Sequence, residues 1–211
     1  MRRSWSVLMA VCMSWLAVGC GTPANSLSQA TAASGRHAPH PLVFQNLTGA
    51  MNEGQDPRWD PKAAPTGVYD DVTVVTASGR QEVLSVRDAP LLFAAYWCPH
   101  CQRTLQLLTS IESRLKQKPI LVNVGYPPGT TLQTAARIAR EESQVLHLAP
   151  FQEVFILNPD AGDRYAPLGY PTLAFYRAGR DWTLYGEHRA SIWEKALSES
   201  TSKAYNGSEE S

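Results

Sequence analysis

The hydrophobic pattern of this chain predicts an α/β fold, with a central mixed β-sheet flanked by helices and a β-hairpin extension on its N-terminal side. Three observations carry that prediction. Leu91 to Tyr96 and Ile120 to Val124 are unbroken apolar runs, as expected of strands buried on both faces of a sheet. The segments after each run place apolar residues at helical spacing. Two further stretches read as strand–turn–strand, one ahead of the first run and one late in the chain.

In chain order, Val72-Thr73-Val74-Val75-Thr76, a turn at Ser78-Gly79-Arg80 and Glu82-Val83-Leu84-Ser85-Val86 form the first hairpin. After the run ending at Tyr96, Leu105, Leu107, Leu108, Ile111 and Leu115 predict one helix reaching Lys118-Pro119. Thr130 to about His147 is helical by pattern, with Leu132, Ala135, Ile138 and Ala139 on one side. Phe151 to Leu157 reads as a strand or irregular segment, and Asn158 to Asp163 as a solvated turn. Thr172 to Tyr176, a turn at Ala178-Gly179-Arg180 and Trp182 to Tyr185 make the second hairpin. Ser191 with Glu194 three residues on matches a capping box for a last helix.

The ends differ from this body. Met1-Arg2-Arg3 supplies positive charge, and no charged residue follows from Ser4 to Gly19, a stretch of about 16 residues. That is short for a spanning helix, which needs roughly 20, and fits a secretory signal over residues 1–19. Leu16-Ala17-Val18-Gly19-Cys20 resembles a bacterial lipobox. The resemblance implies acylation of Cys20 and a membrane-anchored, extracytoplasmic lipoprotein; the alternative is an ordinary signal and a secreted or periplasmic protein. Ser, Ala, Thr, Pro and Gly then dominate, so 20–67 reads as a flexible tether, 68–197 as the folded domain and 198–211 as a disordered tail.

Lys+Arg and Asp+Glu both total 19, giving zero formal net charge, and no basic stripe interleaves with aromatics. That excludes the usual nucleic-acid-binding surface. Four cysteines occur, and Cys12 and Cys20 belong to the N-terminal segment, so a disulfide-stapled scaffold is excluded and one pair remains in the body. The pair is Cys98-Pro99-His100-Cys101, directly after the first apolar run. A cysteine at the first turn of a helix meets unpaired N–H groups and partial positive charge, and both favour the reactive thiolate. Cys98 is expected as the exposed nucleophile and Cys101, one turn on, as the buried resolving thiol. Pro99 suits the first helical turn. His100 is placed to donate to the Cys98 sulfur or, protonated, to stabilise its thiolate. Trp97 is placed to shield the pair. A structural zinc site lacks the further Cys/His cluster it would need, and His37, His40, His147 and His188 show no ligand spacing.

Tyr96-Trp97-Cys98-Pro99-His100-Cys101 resembles the active-site motif of thioredoxin-fold proteins, and Gly169-Tyr170-Pro171-Thr172-Leu173 resembles that family's cis-proline loop. The resemblance spans about residues 70–197. It implies a thioredoxin-like fold and a redox-active Cys98–Cys101 disulfide with no separate cofactor or metal. It also implies a cis Pro171, with Tyr170 beside the sulfurs and its backbone offered to an extended substrate. The hairpin and the long interval between Cys101 and Pro171 are similar to the TlpA/ResA branch, whereas the Pro99-His100 dipeptide is similar to DsbA. The implied partners are exported protein thiols and disulfides and an upstream redox protein. The chain departs from thioredoxin at Leu92, where that family carries a buried acid. A water or a nearby acid such as Glu187 would have to assist Cys101 instead. Two other readings stay open at this point, a copper chaperone using the cysteine pair and a non-catalytic binding module.

Overall fold

The computed structural model describes residues 55–200. The signal segment, Cys20, most of the tether and the tail from residue 201 lie outside the described residues. Among the described residues no helix is long and apolar enough to cross a membrane.

The elements are β1 (Lys62–Ala63), β2 (Val72–Thr76), β3 (Gln81–Leu84), β4 (Leu91–Ala94), α1 (Pro99–Ser110), β5 (Ile120–Asn123), α2 (Leu132–Val145), β6 (Glu153–Phe155), α3 (Ala161–Tyr165), β7 (Thr172–Arg177), β8 (Arg180–Tyr185) and α4 (Ala190–Glu199). They build one mixed sheet in the order β1-β8-β7-β4-β5-β6-β2-β3. Strands β4, β5 and β6 run parallel, joined by the α1 and α2 crossovers, and all other pairings are antiparallel. The order β8-β7-β4-β5, with α1 leaving the end of β4 and a cis-proline entering β7, is a thioredoxin-like fold. Helix α2 and strand β6 are inserted between β5 and α3, and the β2–β3 hairpin extends the sheet beyond β6.

Alternation along β4 divides the core, because successive strand residues point to opposite faces. Leu92 and Ala94 pack with Cys101, Leu105 and Leu108 of α1 and Trp193, Ala196 and Leu197 of α4. Leu91 and Phe93 pack on the other side with Val122, Tyr69 and Tyr165, whose rings lie against Phe93 at centroid distances of 5.8 and 5.3 Å. Helix α2 buries Ala135, Ile138 and Ala139 against Tyr96, Tyr126 and Phe155. Its start is fixed by Thr131, whose hydroxyl accepts from the Thr134 N–H at 3.2 Å, as an N-cap should.

Several boundaries differ from the sequence reading. Residues 55–67, expected as tether, are bound to the domain. Strand β1 pairs with β8, Ala64 N–H donates to Asp181 O, and Trp59 packs on Phe175 at 6.2 Å between centroids. The outer side of β8 otherwise leaves backbone groups unpaired, and Trp59 buries apolar surface there. Helix α1 ends at Ser110 rather than continuing past Leu115, and a short 3-10 turn (Glu112–Arg114) follows. Ser110 Oγ donates to Leu107 O at 2.7 Å, the kind of side-chain competition that loosens a helix end. The expected turn around Asp160 contains the one-turn helix α3. Helix α4 starts two residues early, with Arg189 at the N-cap position and no side-chain cap, so Ser191 does not cap it. At its far end Ser200 is buried and its carbonyl accepts from Gln117 at 3.0 Å, which moves the start of the tail beyond it.

Candidate active site

Cys98 is the N-cap residue of α1, with extended backbone angles (φ −89°, ψ 113°), and Pro99 takes the first helical position. The N-cap places the sulfur over the first N–H groups of the helix, which have no carbonyl partner within it. A hydrogen bond from the Cys101 thiol, opposed in part by burial and helped by the Cys101 and His100 N–H groups and the field of His100, lowers the Cys98 thiol to about 6. Cys101 is fully buried, and burial together with its interaction with Cys98 pushes its thiol well above the ordinary range. The two sulfurs are therefore unequal in the way a nucleophile and a resolving thiol must be. Both cysteines are free thiols.

The expectation of an exposed Cys98 needs correction, since the residue is only 5% exposed. It sits in the cluster that includes Cys101 and Leu105, and Trp97 and Tyr170 pack against that cluster. The Tyr170–Pro171 bond is cis, and the Tyr170 carbonyl accepts from the Cys98 thiol at 3.7 Å. Burial is also the main reason the Tyr170 hydroxyl is pushed up to about 12. Trp97 is anchored by its indole N–H, which donates to Gly125 O at 2.8 Å. Gly125 has φ +74°, and a Cβ there would meet Ala95 Cβ at 3.1 Å and Trp97 Nε1 at 3.3 Å. Only glycine satisfies both the backbone angle and the close approach.

His100 is turned differently from the expectation. Its Nδ1 faces Glu187 Oε1 and lies 2.7 Å from an Arg103 guanidinium nitrogen, so that nitrogen is not the donor to Cys98. A neutral Nδ1 accepts from Arg103, and a protonated one donates to Glu187. Arg103 also donates through Nε to Glu187 Oε2 at 2.8 Å and through its terminal nitrogen to Oε1. Burial pushes the Glu187 carboxyl up, but the hydrogen bonds and charges of Arg103 and His100 outweigh it and hold the group below its usual range.

Leu92 is 1% exposed and packs in the apolar cluster, and Glu187 is committed to Arg103 and His100. The acid whose field reaches Cys101 is Glu142, on α2. It is 3% exposed, its Oε1 has no hydrogen-bond partner, and burial with the nearby Glu153 and Cys98 raises its carboxyl to about 8. Sequence reading missed Arg103 and Glu142 altogether. Arg103 carried one usable signal, its place one helical turn after His100. Among the described residues no group of three or more His, Cys, Asp or Glu side chains is placed to hold a metal ion.

No protein-family profile matches the chain. No curated protein matches it either. Among solved structures the chain is similar to MTB DsbF, described in mixed oxidised and reduced forms, at 13% identity and a TM-score of 0.48, covering 64% of this chain and 98% of that one. It is similar to StoA from Bacillus subtilis at 18% identity and a TM-score of 0.44, covering 64% of this chain and 98% of that one. It is similar to the pneumococcal exposed lipoprotein thioredoxin Etrx1 from Streptococcus pneumoniae at 20% identity and a TM-score of 0.44, covering 61% of this chain and 98% of that one. The fold assignment stands on strand order and helix placement, independently of these likenesses.

Proposed function

We propose that this thioredoxin-fold chain is an extracytoplasmic thiol–disulfide oxidoreductase acting on protein substrates. The observation that carries the reading is the inequality of its two thiols. The Cys98 thiol, at a helix N-terminus, is lowered to about 6, and Cys101 is fully buried with its thiol pushed well above the ordinary range. In the reducing direction, the Cys98 thiolate attacks a substrate disulfide, forming a mixed disulfide and releasing one substrate thiolate. Cys101 then loses its proton and attacks the Cys98 sulfur. The Cys98–Cys101 bond forms, the second substrate thiolate leaves, and two electrons have passed from the dithiol to the substrate. The reverse sequence oxidises a substrate dithiol.

The remaining groups serve that exchange. The Tyr170 backbone beside the sulfur and Pro171 after it offer an extended substrate a strand-like partner. Trp97 and Tyr170 wall the pair, and Pro99 starts the helix without needing a hydrogen-bond partner. The sequence pattern at 1–20 supports export with lipid anchorage through Cys20, and an upstream redox protein would reset the pair. The test is reduction of insulin by dithiothreitol with catalytic protein. Wild type should accelerate it and Cys98→Ser should not. Equal rates for the two would overturn the reading.

A further inference from the structure

Beside the cysteine pair lies a group of charges that the exchange reaction itself does not use. Arg103 is one turn into α1, with its side chain 17% exposed, and Glu187 is on the β8–α4 loop, with its side chain 8% exposed. They meet through two hydrogen bonds, and both contact the 61% exposed His100 ring. A carboxylate this covered needs compensation, and the planar guanidinium supplies it in the two-pronged geometry that suits a carboxylate. Arg103 follows Cys98 by five residues on the same helix and touches His100, whose N–H and charge act on the Cys98 sulfur, and a Cys98 thiolate in turn favours the charged guanidinium. Arg103 is therefore paired with a permanent anion at Glu187 and reaches the neighbourhood of a redox-dependent one at Cys98 through His100.

The loop that carries Glu187 is fixed on both sides. Gly186 N–H donates to Pro171 O at 2.9 Å, tying it to the residue that follows the Tyr170 carbonyl. Asp56 N–H donates to Glu187 O at 2.9 Å, and Asp56 O accepts from Arg189 N–H at 3.2 Å. Glu187 is thus held in register with the cysteine pair by main-chain bonds.

Building on the oxidoreductase reading, we propose that Arg103 and Glu187 are positioning residues that set the reduction potential of the Cys98–Cys101 couple. Arg103 supplies positive charge that favours the thiolate, and Glu187 holds that charge in place while cancelling part of it. A stabilised thiolate lowers the energy of the dithiol, so net positive charge here makes the disulfide the stronger oxidant. Removing either partner then has an effect of opposite sign. Glu187→Gln leaves the guanidinium uncompensated and shifts the couple toward the dithiol. Arg103→Met leaves the carboxylate uncompensated and shifts it toward the disulfide.

The experiment equilibrates the full chain in glutathione buffers and measures the dithiol–disulfide equilibrium constant for wild type, Glu187→Gln, Arg103→Met, Arg103→Lys and the double variant Glu187→Gln with Arg103→Met. Each charge-removing single variant should move the constant by about two- to fivefold, in opposite directions, the scale of a partly screened charge. The double variant should lie between the singles, and Arg103→Lys should return toward wild type. Loosening of the local structure would move both singles the same way, and that result overturns the proposal, as does no shift in either. A wild-type pair that forms no disulfide at any poise would instead sink the oxidoreductase reading itself.

Discussion

Trp97 and Tyr170 meet edge to face beside the cysteine pair, with ring centroids 6.0 Å apart and planes at 80°. One ring comes from the turn before α1 and the other from the loop before β7, so two segments distant in sequence form the wall of one site. This arrangement leaves Cys98 reactive in its charge state yet only 5% exposed.

The charge state has a direct readout. Alkylation of reduced protein by iodoacetamide should follow an ionisation with a midpoint of about 6 and should vanish in Cys98→Ser. Cys101 should be modified only when the protein is unfolded, because it is fully buried. Peptide mapping after a short pulse separates the two sites; equal labelling would contradict the geometry.

Access to Cys98 should depend on Tyr170, whose hydroxyl lies against Gly162 of α3. A Cβ at Gly162 would lie 2.5 Å from the Tyr170 hydroxyl, so Gly162→Ala must displace that ring. The expected result is a several-fold change in the alkylation rate of Cys98. Tyr170→Phe in the same background removes the clashing oxygen and should bring the rate back. Measurement on the two variants and wild type decides it.

Gly125→Ala should destabilise the fold by about 1–2 kcal/mol or more, because the residue would be strained at positive φ and would crowd Trp97. Urea unfolding gives the value. A cost near zero would mean that Trp97 is not held where its bond to Gly125 O places it.

Glu142 should make stability fall as pH rises. Its carboxyl is raised from 4.5 to about 8 in the folded protein, so between those values the native state holds a proton that the unfolded chain has released. The stabilisation is full below about 4.5 and is lost as pH rises through about 8. Glu142→Gln removes the ionisation, and the variant should gain on wild type by up to a few kcal/mol at about pH 8 and little at about pH 5. Thermal melts at the two pH values test it. A constant difference between the proteins would show that Glu142 titrates normally.

The parts of the fold that sequence displays are those with local causes. Strands β4 and β5 announce themselves because burial on both faces demands continuous apolar runs, and the cysteine pair and Tyr170-Pro171 carry their chemistry in adjacent residues. What escaped depends on distant partners. Strand β1 is two residues in a polar, proline-punctuated stretch and exists only because β8 is beside it. Helix α3 is a single turn between Asn158-Pro159 and Ala166, too short for any periodicity. The Arg103–Glu187 bond spans 84 residues, and Glu142 looks like any acid on an amphipathic helix until α2 is packed. Polar residues in a folded site are chosen by neighbours that one-dimensional patterns do not show.

The strap at residues 55–64 has a practical consequence for where this protein can be cut. A fragment beginning at residue 68, the border that composition alone marks, would uncover Phe175, strip Arg177 and Lys195 of the Trp59 ring they flank, and leave Thr183 and Trp182 paired on the β7 side alone. It would also free both ends of the Glu187–Arg189 turn from Asp56. A unit that keeps β1, the Trp59 packing and the Asp56 bonds starts no later than Asp56, so residues that composition sets outside the domain help to close its sheet edge.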